Sequence, residues 1–396
     1  MFHSLSICGG KVGLGFARAC YNYTHMSFGF SFKNALSGFF KHSESVLGID
    51  IGSSSIKLVQ LRKKDNRAVL ETYGELALGP YAGLAIGQAT NLSVEKTAEA
   101  LRDLFREASV TAKVAAFSLP LRSSLLSVIE LPAYKEEQIN RMVPLEARKH
   151  IPVPIAEVNL DWWVIPKHDL QSPSSAPEGA TEDKPASGQE HTEVLLVAIH
   201  KTAVKHWQDI STAMSLDSRT FEIETFSAMR SVLARDISAM ALLDVGASTS
   251  KLTIVDYGIV RVSHVINRGA QDITLAIATS KSLPFGEAEK VKRKNDPTTV
   301  GSASSILEQI FYEANAVVEE YQKKNARLVT KVVCTGGGVL TTGFIETSGK
   351  HFQSEVIIGN PFAKVDTPAF MAPILAQAGP EFAVALGLAL HELEEV

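Results

Sequence analysis

From Val46 onward, short apolar runs alternate with turns of Gly, Ser, Thr, Asn and Pro, a pattern that predicts strands joined by tight connections. Two of these stretches repeat each other. The segments beginning at Leu47 and Leu242 each read as an apolar run ending in Asp, a turn of Gly and small hydroxyl residues, then Lys and a second apolar run. Asp50 matches Asp244, Gly52 matches Gly246, Ser54 matches Ser248 and Lys57 matches Lys251, all at one common offset. Four chemical positions kept at a single spacing predict duplicated halves, each opening on a strand, a turn and a strand.

Between the repeats the periodicity changes. Ala68 to Ala77 predicts a third strand, and Ser93 stands as the N-cap of an amphipathic helix with Val94, Ala98, Leu101 and Phe105 on one face. Val114 to Leu119 and Ser123 to Leu131 then read as strands, Lys135 to His150 as a helix, and Val158 to Ile165 and Glu193 to Ile199 as two further strands. This block reads as an α+β insertion over about 113–220. Inside it, Lys167 to Thr192 is rich in Ser, Pro, Gly, Ala and acidic residues and too polar to bury a core, so a flexible loop is expected there. A helix over Ala203 to Met214 and a strand over Thr220 to Ile223 follow.

The second half opens at Met240 and continues with a strand over Ile259 to Val265, a helical stretch from Asp272 and a long helix from Ser304 to Lys323. A strand over Lys331 to Cys334, the turn Gly336-Gly337-Gly338 and a terminal helix from Glu381 complete it. The expected division is therefore an N-terminal extension (1–45), a first half with its insertion (46–239), and a second half (240–396) with a smaller insertion near 272–328.

Composition narrows the function classes. The 396 residues carry 39 Lys plus Arg against 43 Asp plus Glu, with no sizeable basic block, which argues against nucleic acid as the main partner. Cys8, Cys20 and Cys334 are too few and too scattered for a disulfide framework or a zinc site. No apolar run approaches the roughly 18 residues of a membrane span, and Gly9, Gly10, Lys11 and Gly13 interrupt any secretory-type apolar core. Residues 1–25 are expected to be poorly ordered, with Met26 as an alternative start. The stretch after it, with Phe28, Phe30, Phe32, Leu36, Phe39 and Phe40 beside Lys33 and Lys41, reads as a docking helix.

The duplicated turns carry the candidate chemistry. Facing turns built from Gly52, Ser53, Ser54 and Ser55 and from Gly246, Ala247, Ser248 and Thr249 point N–H groups and hydroxyls outward and can grip a polyphosphate from both sides. Asp50 and Asp244, at the strand ends, stand where a hydrated Mg²⁺ would lie, and Lys57 and Lys251 are placed to neutralise phosphate charge. The Gly336-Gly337-Gly338 turn lets backbone approach a flat ligand. A Walker-type phosphate loop is absent from the sequence.

In order and content these motifs resemble the actin-like, ribonuclease-H-like duplicated ATPases over residues 46–396, which implies an α/β fold with a phosphate-binding hairpin in each half and ATP with Mg²⁺ between them. The resemblance also implies adenosine contacts from Glu289 and Lys292, in Gly286-Glu-Ala-Glu-Lys-Val-Lys-Arg, and an acidic residue, Glu224, that positions water beside the catalytic Asp50 and Asp244. Within that group the chain is most similar to the PilM family of type IV pilus assembly proteins. Val46-Leu-Gly-Ile-Asp-Ile-Gly-Ser-Ser-Ser-Ile-Lys, Glu146-Ala-Arg-Lys-His-Ile-Pro-Val-Pro and Gly379-Pro-Glu-Phe-Ala-Val-Ala-Leu-Gly-Leu-Ala-Leu carry the likeness. It implies a cytoplasmic ATP-binding scaffold at the inner membrane, with weak ATPase activity left open, an inserted subdomain called 1C and halves named 1A and 2A, the latter with a 2B insertion. The implied partners are the N-terminal tail of a PilN-like membrane protein, the pilus motor ATPase and the platform protein; homo-oligomerisation stays open. The alternatives are an FtsA-like filament-forming division protein and a small-molecule kinase of the same fold.

Overall fold

The computed structural model describes residues 45–132, 136–166, 191–234, 236–294 and 300–395. The N-terminal docking stretch and most of the polar loop lie outside the described residues.

Two sheets follow the same path. In the first, β1 (Ser45–Ile51) and β2 (Ser55–Lys64) form an antiparallel hairpin, β3 (Arg67–Ala77) pairs with β2, and β4 (Val114–Leu119) lies parallel to β1. A fifth strand, β8 (Asp217–Ile223), runs parallel to β4, for an order of β3-β2-β1-β4-β8. In the second, β9 (Ala239–Val245), β10 (Ser250–Asp256), β11 (Ile259–Ile266), β12 (Val329–Thr335) and β13 (Glu355–Ile358) are ordered β11-β10-β9-β12-β13. The register repeats as well: Asp50 opposes Lys57 in one hairpin and Asp244 opposes Lys251 in the other.

The inserted unit is narrower than the 113–220 expected from sequence. Strands β4 and β8 are members of the first sheet: β4, buried at every position, pairs in parallel with β1, and β8 pairs in parallel with β4. What stands apart is a three-stranded sheet of β5 (Ser124–Pro132), β6 (Val158–Val164) and β7 (His191–His200), ordered β5-β7-β6, with helix α2 (Glu136–His150) packed on it. Its core of Ile129, Leu131, Val143, Ala147, Val194 and Leu196 is separate from the cores of the halves. Helix α3 (Lys201–Ala213) returns the chain to the first half and packs beside α1 (Val94–Glu107), whose N-cap Ser93 accepts from Lys96 N at 3.3 Å. In the second half the described residues of the stretch near 272–328 form helices α5 (Ala270–Lys281), α6 (Phe285–Arg293) and α7 (Val300–Asn325).

The C-terminal region departs from expectation. Ala369–Glu395 forms a continuous run of helical turns whose most apolar 18-residue window has a mean hydropathy of 1.4, long enough by length and composition to span a bilayer, yet 61% of that window is buried inside the protein. Its last part, the helix Ala383–Glu395, is wedged between β1 and α4 (Glu224–Val232). Contact is backbone to backbone: a Cβ at Gly48 would fall 1.9 Å from the Ala385 carbonyl oxygen, and one at Gly387 only 1.8 Å from that of Ser227. The apolar composition of this segment thus serves the core. Beneath it, the fully buried Glu222 carboxylate takes Arg230 Nη2 at 2.6 Å and Nη1 at 2.7 Å.

Candidate functional site

Each hairpin closes on the same turn. Gly52 N donates to Ser55 O at 3.0 Å, and Gly246 N donates to Thr249 O at 3.1 Å. Both turns face a cleft of about 1080 Å³ between the halves, and every position singled out from the sequence lines it: Asp50, Gly52 to Ser55, Lys57, Asp244, Gly246 to Thr249, Lys251, Glu224, Glu289, Lys292 and Gly336 to Gly338. The volume sits at the upper end of ordinary ligand sites.

The two aspartates are held in equivalent ways from neighbouring parallel strands. Ser118, near the end of β4, donates its hydroxyl to Asp50 Oδ1 at 2.7 Å, and Thr335, at the end of β12, reaches Asp244 Oδ1 at 3.4 Å. Burial pushes the Asp50 carboxyl above its usual range against the pull of Lys57 and the Ser118 hydrogen bond.

The lysines differ from expectation. Lys57 Nζ donates to Ser55 Oγ at 2.7 Å and lies 3.4 Å from Glu75, while Lys251 Nζ lies 2.7 Å from Glu224 and 3.0 Å from Asp244. Both therefore already carry protein carboxylates as partners. Burial alone would lower the Lys251 ammonium, but Asp244 and Glu224 outweigh it and hold the group far above its ordinary value. For Lys57, burial is likewise overcome, by Glu75, Glu381 and Asp50. Glu224 is engaged at both oxygens, accepting Leu121 N at 2.7 Å and Lys251 Nζ, and burial, with Asp244 and Asp50 nearby, raises its carboxyl.

On the opposite side, Glu289 takes Thr274 Oγ1 at 2.6 Å, Lys292 at 2.7 Å and Arg293 at 2.8 Å, and forms part of the wall. A Cβ on Gly87 would fall 2.6 Å from the Glu289 carboxyl carbon, so the first half closes tightly on this end. Gly336 has φ of 85°, and a Cβ there would stand 2.5 Å from Asp244 Oδ1; only glycine leaves both the conformation and the aspartate undisturbed.

Sequence reasoning missed Glu75, Ser118, Arg122, Gln271, Arg293 and Glu381, which also line the cleft. Glu75 had a readable signal, since it stands opposite Lys57 in the hairpin register. The others approach only through tertiary pairing, as when Gln271 Oε1 accepts Ala89 N at 2.7 Å from across the cleft.

Duplicated sheets of identical order, with matched phosphate-type turns on one cleft, define the actin-like ATPase fold. A profile of the family described as "Type IV pilus assembly protein PilM" matches residues 48–393, and the chain belongs to that family. The chain is similar to a solved PilM-PilN type IV pilus biogenesis complex at a TM-score of 0.72 and 23% identity, covering 89% of this chain and 99% of that one. It is also similar to the ethanolamine utilization protein EutJ from Carboxydothermus hydrogenoformans, at a TM-score of 0.51 and 15% identity, over 89% and 91% of the two chains. The cell division protein FtsA of Neisseria meningitidis serogroup B (strain ATCC BAA-335 / MC58) is 23% identical over 372 residues, covering 82% of this chain and 87% of that one.

Proposed function

We propose that this type IV pilus assembly protein is an ATP-binding scaffold at the cytoplasmic face of the inner membrane, which holds the N-terminal tail of a PilN-like membrane protein and links it to the pilus motor ATPase and platform protein. The observation that carries the reading is the pair of matching turns, each with its Asp and Lys in the same register, on one cleft of a PilM-family fold.

The residues present fit Mg-ATP. The two turns offer N–H groups and hydroxyls to a polyphosphate, Asp50 and Asp244 offer carboxylates to the waters of a hard cation, and the Gly336-Gly337-Gly338 turn lines the same cleft where a flat base can meet backbone. Glu289 and Lys292 stand at the adenosine end. When bound, Mg-ATP supplies a multivalent anion that joins the two halves. Glu224, tied to Leu121 N and Lys251, is poorly placed to act as a free base, which supports slow turnover and favours a scaffold over a small-molecule kinase.

The three-stranded sheet suits the tail. Strands β5 and β6 are its edges, and an extended peptide beside such an edge adds main-chain hydrogen bonds while its side chains enter pockets. Two measurements test the reading. Mg-ATP should raise the melting temperature, with a gain of about 2.7 kcal/mol at a hundredfold excess over Kd, and Asp50→Ala and Asp244→Ala should reduce that gain while Asp169→Ala, in the polar loop, does not. Equal shifts in all three variants would remove the site assignment. A labelled PilN tail peptide should lose binding to a variant lacking the three-stranded sheet but still binding ATP; retained binding places the groove elsewhere.

A further inference from the structure

Five Lys and Arg side chains line the cleft: Lys57, Arg122, Lys251, Lys292 and Arg293. Four already face protein carboxylates. Lys57 lies 3.4 Å from Glu75, Lys251 lies 2.7 Å from Glu224 and 3.0 Å from Asp244, and Lys292 and Arg293 lie 2.7 and 2.8 Å from Glu289. Arg122 is different: among the described residues no ion pair engages it, and its Nη2 donates to a neutral partner, Ser248 Oγ, at 2.9 Å across the cleft. A guanidinium spanning two halves to reach a hydroxyl of a phosphate-type turn keeps most of its capacity for a bidentate anion.

The cleft also has a direction. Gly87 and Glu75, on the β3 side of the first sheet, stand against Glu289 and Arg293, whereas Arg122 and Glu224 follow β4 and β8 at the other end of the order β3-β2-β1-β4-β8. A nucleotide with its base at Glu289 lays its phosphates across the two turns toward Arg122. We propose that Arg122 binds the terminal phosphate of the nucleoside triphosphate and thereby ties the phosphate count to the inserted sheet; this rests on the nucleotide reading above. Arg122 sits two residues before β5, in a turn whose Leu121 N is fixed by Glu224 at 2.7 Å. The same sheet is bridged to the second half by Arg261 and Glu193 at 2.6 Å, so a phosphate that draws Arg122 away from Ser248 alters one of the ties that seat the sheet.

Isothermal titration with Mg-ATP and with Mg-ADP tests the assignment on wild type, Arg122→Gln and Arg122→Lys. The expected result is that Arg122→Gln weakens ATP roughly tenfold or more, the scale of one lost charge-assisted contact, leaves ADP nearly unchanged, and is partly rescued by Arg122→Lys. Equal losses for both nucleotides would indicate a structural role, and no change in either would show that Arg122 does not meet the ligand; both overturn the proposal but leave the nucleotide reading standing. Wild type that binds neither nucleotide overturns both. Amide exchange in β5 and β7 supplies the second readout: ATP should change it relative to ADP in wild type but not in Arg122→Gln, and the same nucleotide dependence in the two proteins, or none in wild type, overturns the coupling.

Discussion

Lys251→Met separates the electrostatic role of the second lysine from its packing. Lys251 is 16% exposed at its side chain and is the cation between Asp244, 16% exposed, and Glu224, 13% exposed. Removing one member of such a buried set leaves uncompensated carboxylates, a loss of about 3–5 kcal/mol for fully buried pairs. Residual exposure and the surviving Leu121 N–H to Glu224 bond place this case near the lower end, about 3 kcal/mol at pH 8. The sign with pH follows from Glu224. Its carboxyl is already raised by burial, and loss of Lys251 raises it further. A folded-state pKa above the unfolded value, about 4.3, means that the folded chain binds the proton more tightly, so stability falls as pH rises through that window. The deficit of Lys251→Met should therefore be largest at pH 8 and shrink near pH 5.5, and Glu224→Gln added to it should restore part of the loss at pH 8. Urea unfolding followed by circular dichroism reads all of this. A deficit under about 1 kcal/mol at pH 8, or one that does not depend on pH, would refute the reasoning.

Glu392 is 2% exposed, one of its oxygens has no partner among the described residues, and burial raises its carboxyl to about 7. Its raised folded-state pKa costs stability as pH climbs from about 4.3 toward that value, so Glu392→Gln should be more stable than wild type by up to roughly 3–4 kcal/mol at pH 8 and nearly equal to it near pH 4.5; a pH-independent difference in melting would contradict this. Gly336→Ala should cost about 2–4 kcal/mol from the positive φ and the overlap with Asp244 and weaken Mg-ATP binding, whereas a melting temperature and affinity like wild type would mean that the turn is adaptable. Arg230→Met strands Glu222 in the core and should cost about 3–5 kcal/mol; adding Glu222→Met should recover most of it in the same unfolding assay, and a double variant no better than the single would rule out the ion pair as the cause.

Much of the site was readable before folding because hairpins are local. The alternation around Asp50 and Lys57, repeated at Asp244 and Lys251, dictates the turn, the register and the outward face of each phosphate-type loop within a few residues of chain. Glu75 belongs to the same local logic and could have been read from the register of β2 with β3.

The limits of the insertion were not readable, since an apolar run such as Val114 to Leu119 looks the same whether it begins a new unit or enters a parallel ladder; only pairing with β1 and β8 decides. The C-terminal apolar helix shows the same ambiguity, and its burial depends on the close approach of Gly48 and Gly387 to backbone far away in sequence. Duplication, element types and the turn residues that line the cleft are thus properties of sequence, because periodicity and turn chemistry act over a few residues. Which carboxylate neutralises which cation, that Glu224 is tied down, and that Arg122 faces Ser248 without one were decided by tertiary structure, because charge pairing depends on distances between segments that only the folded sheets bring together.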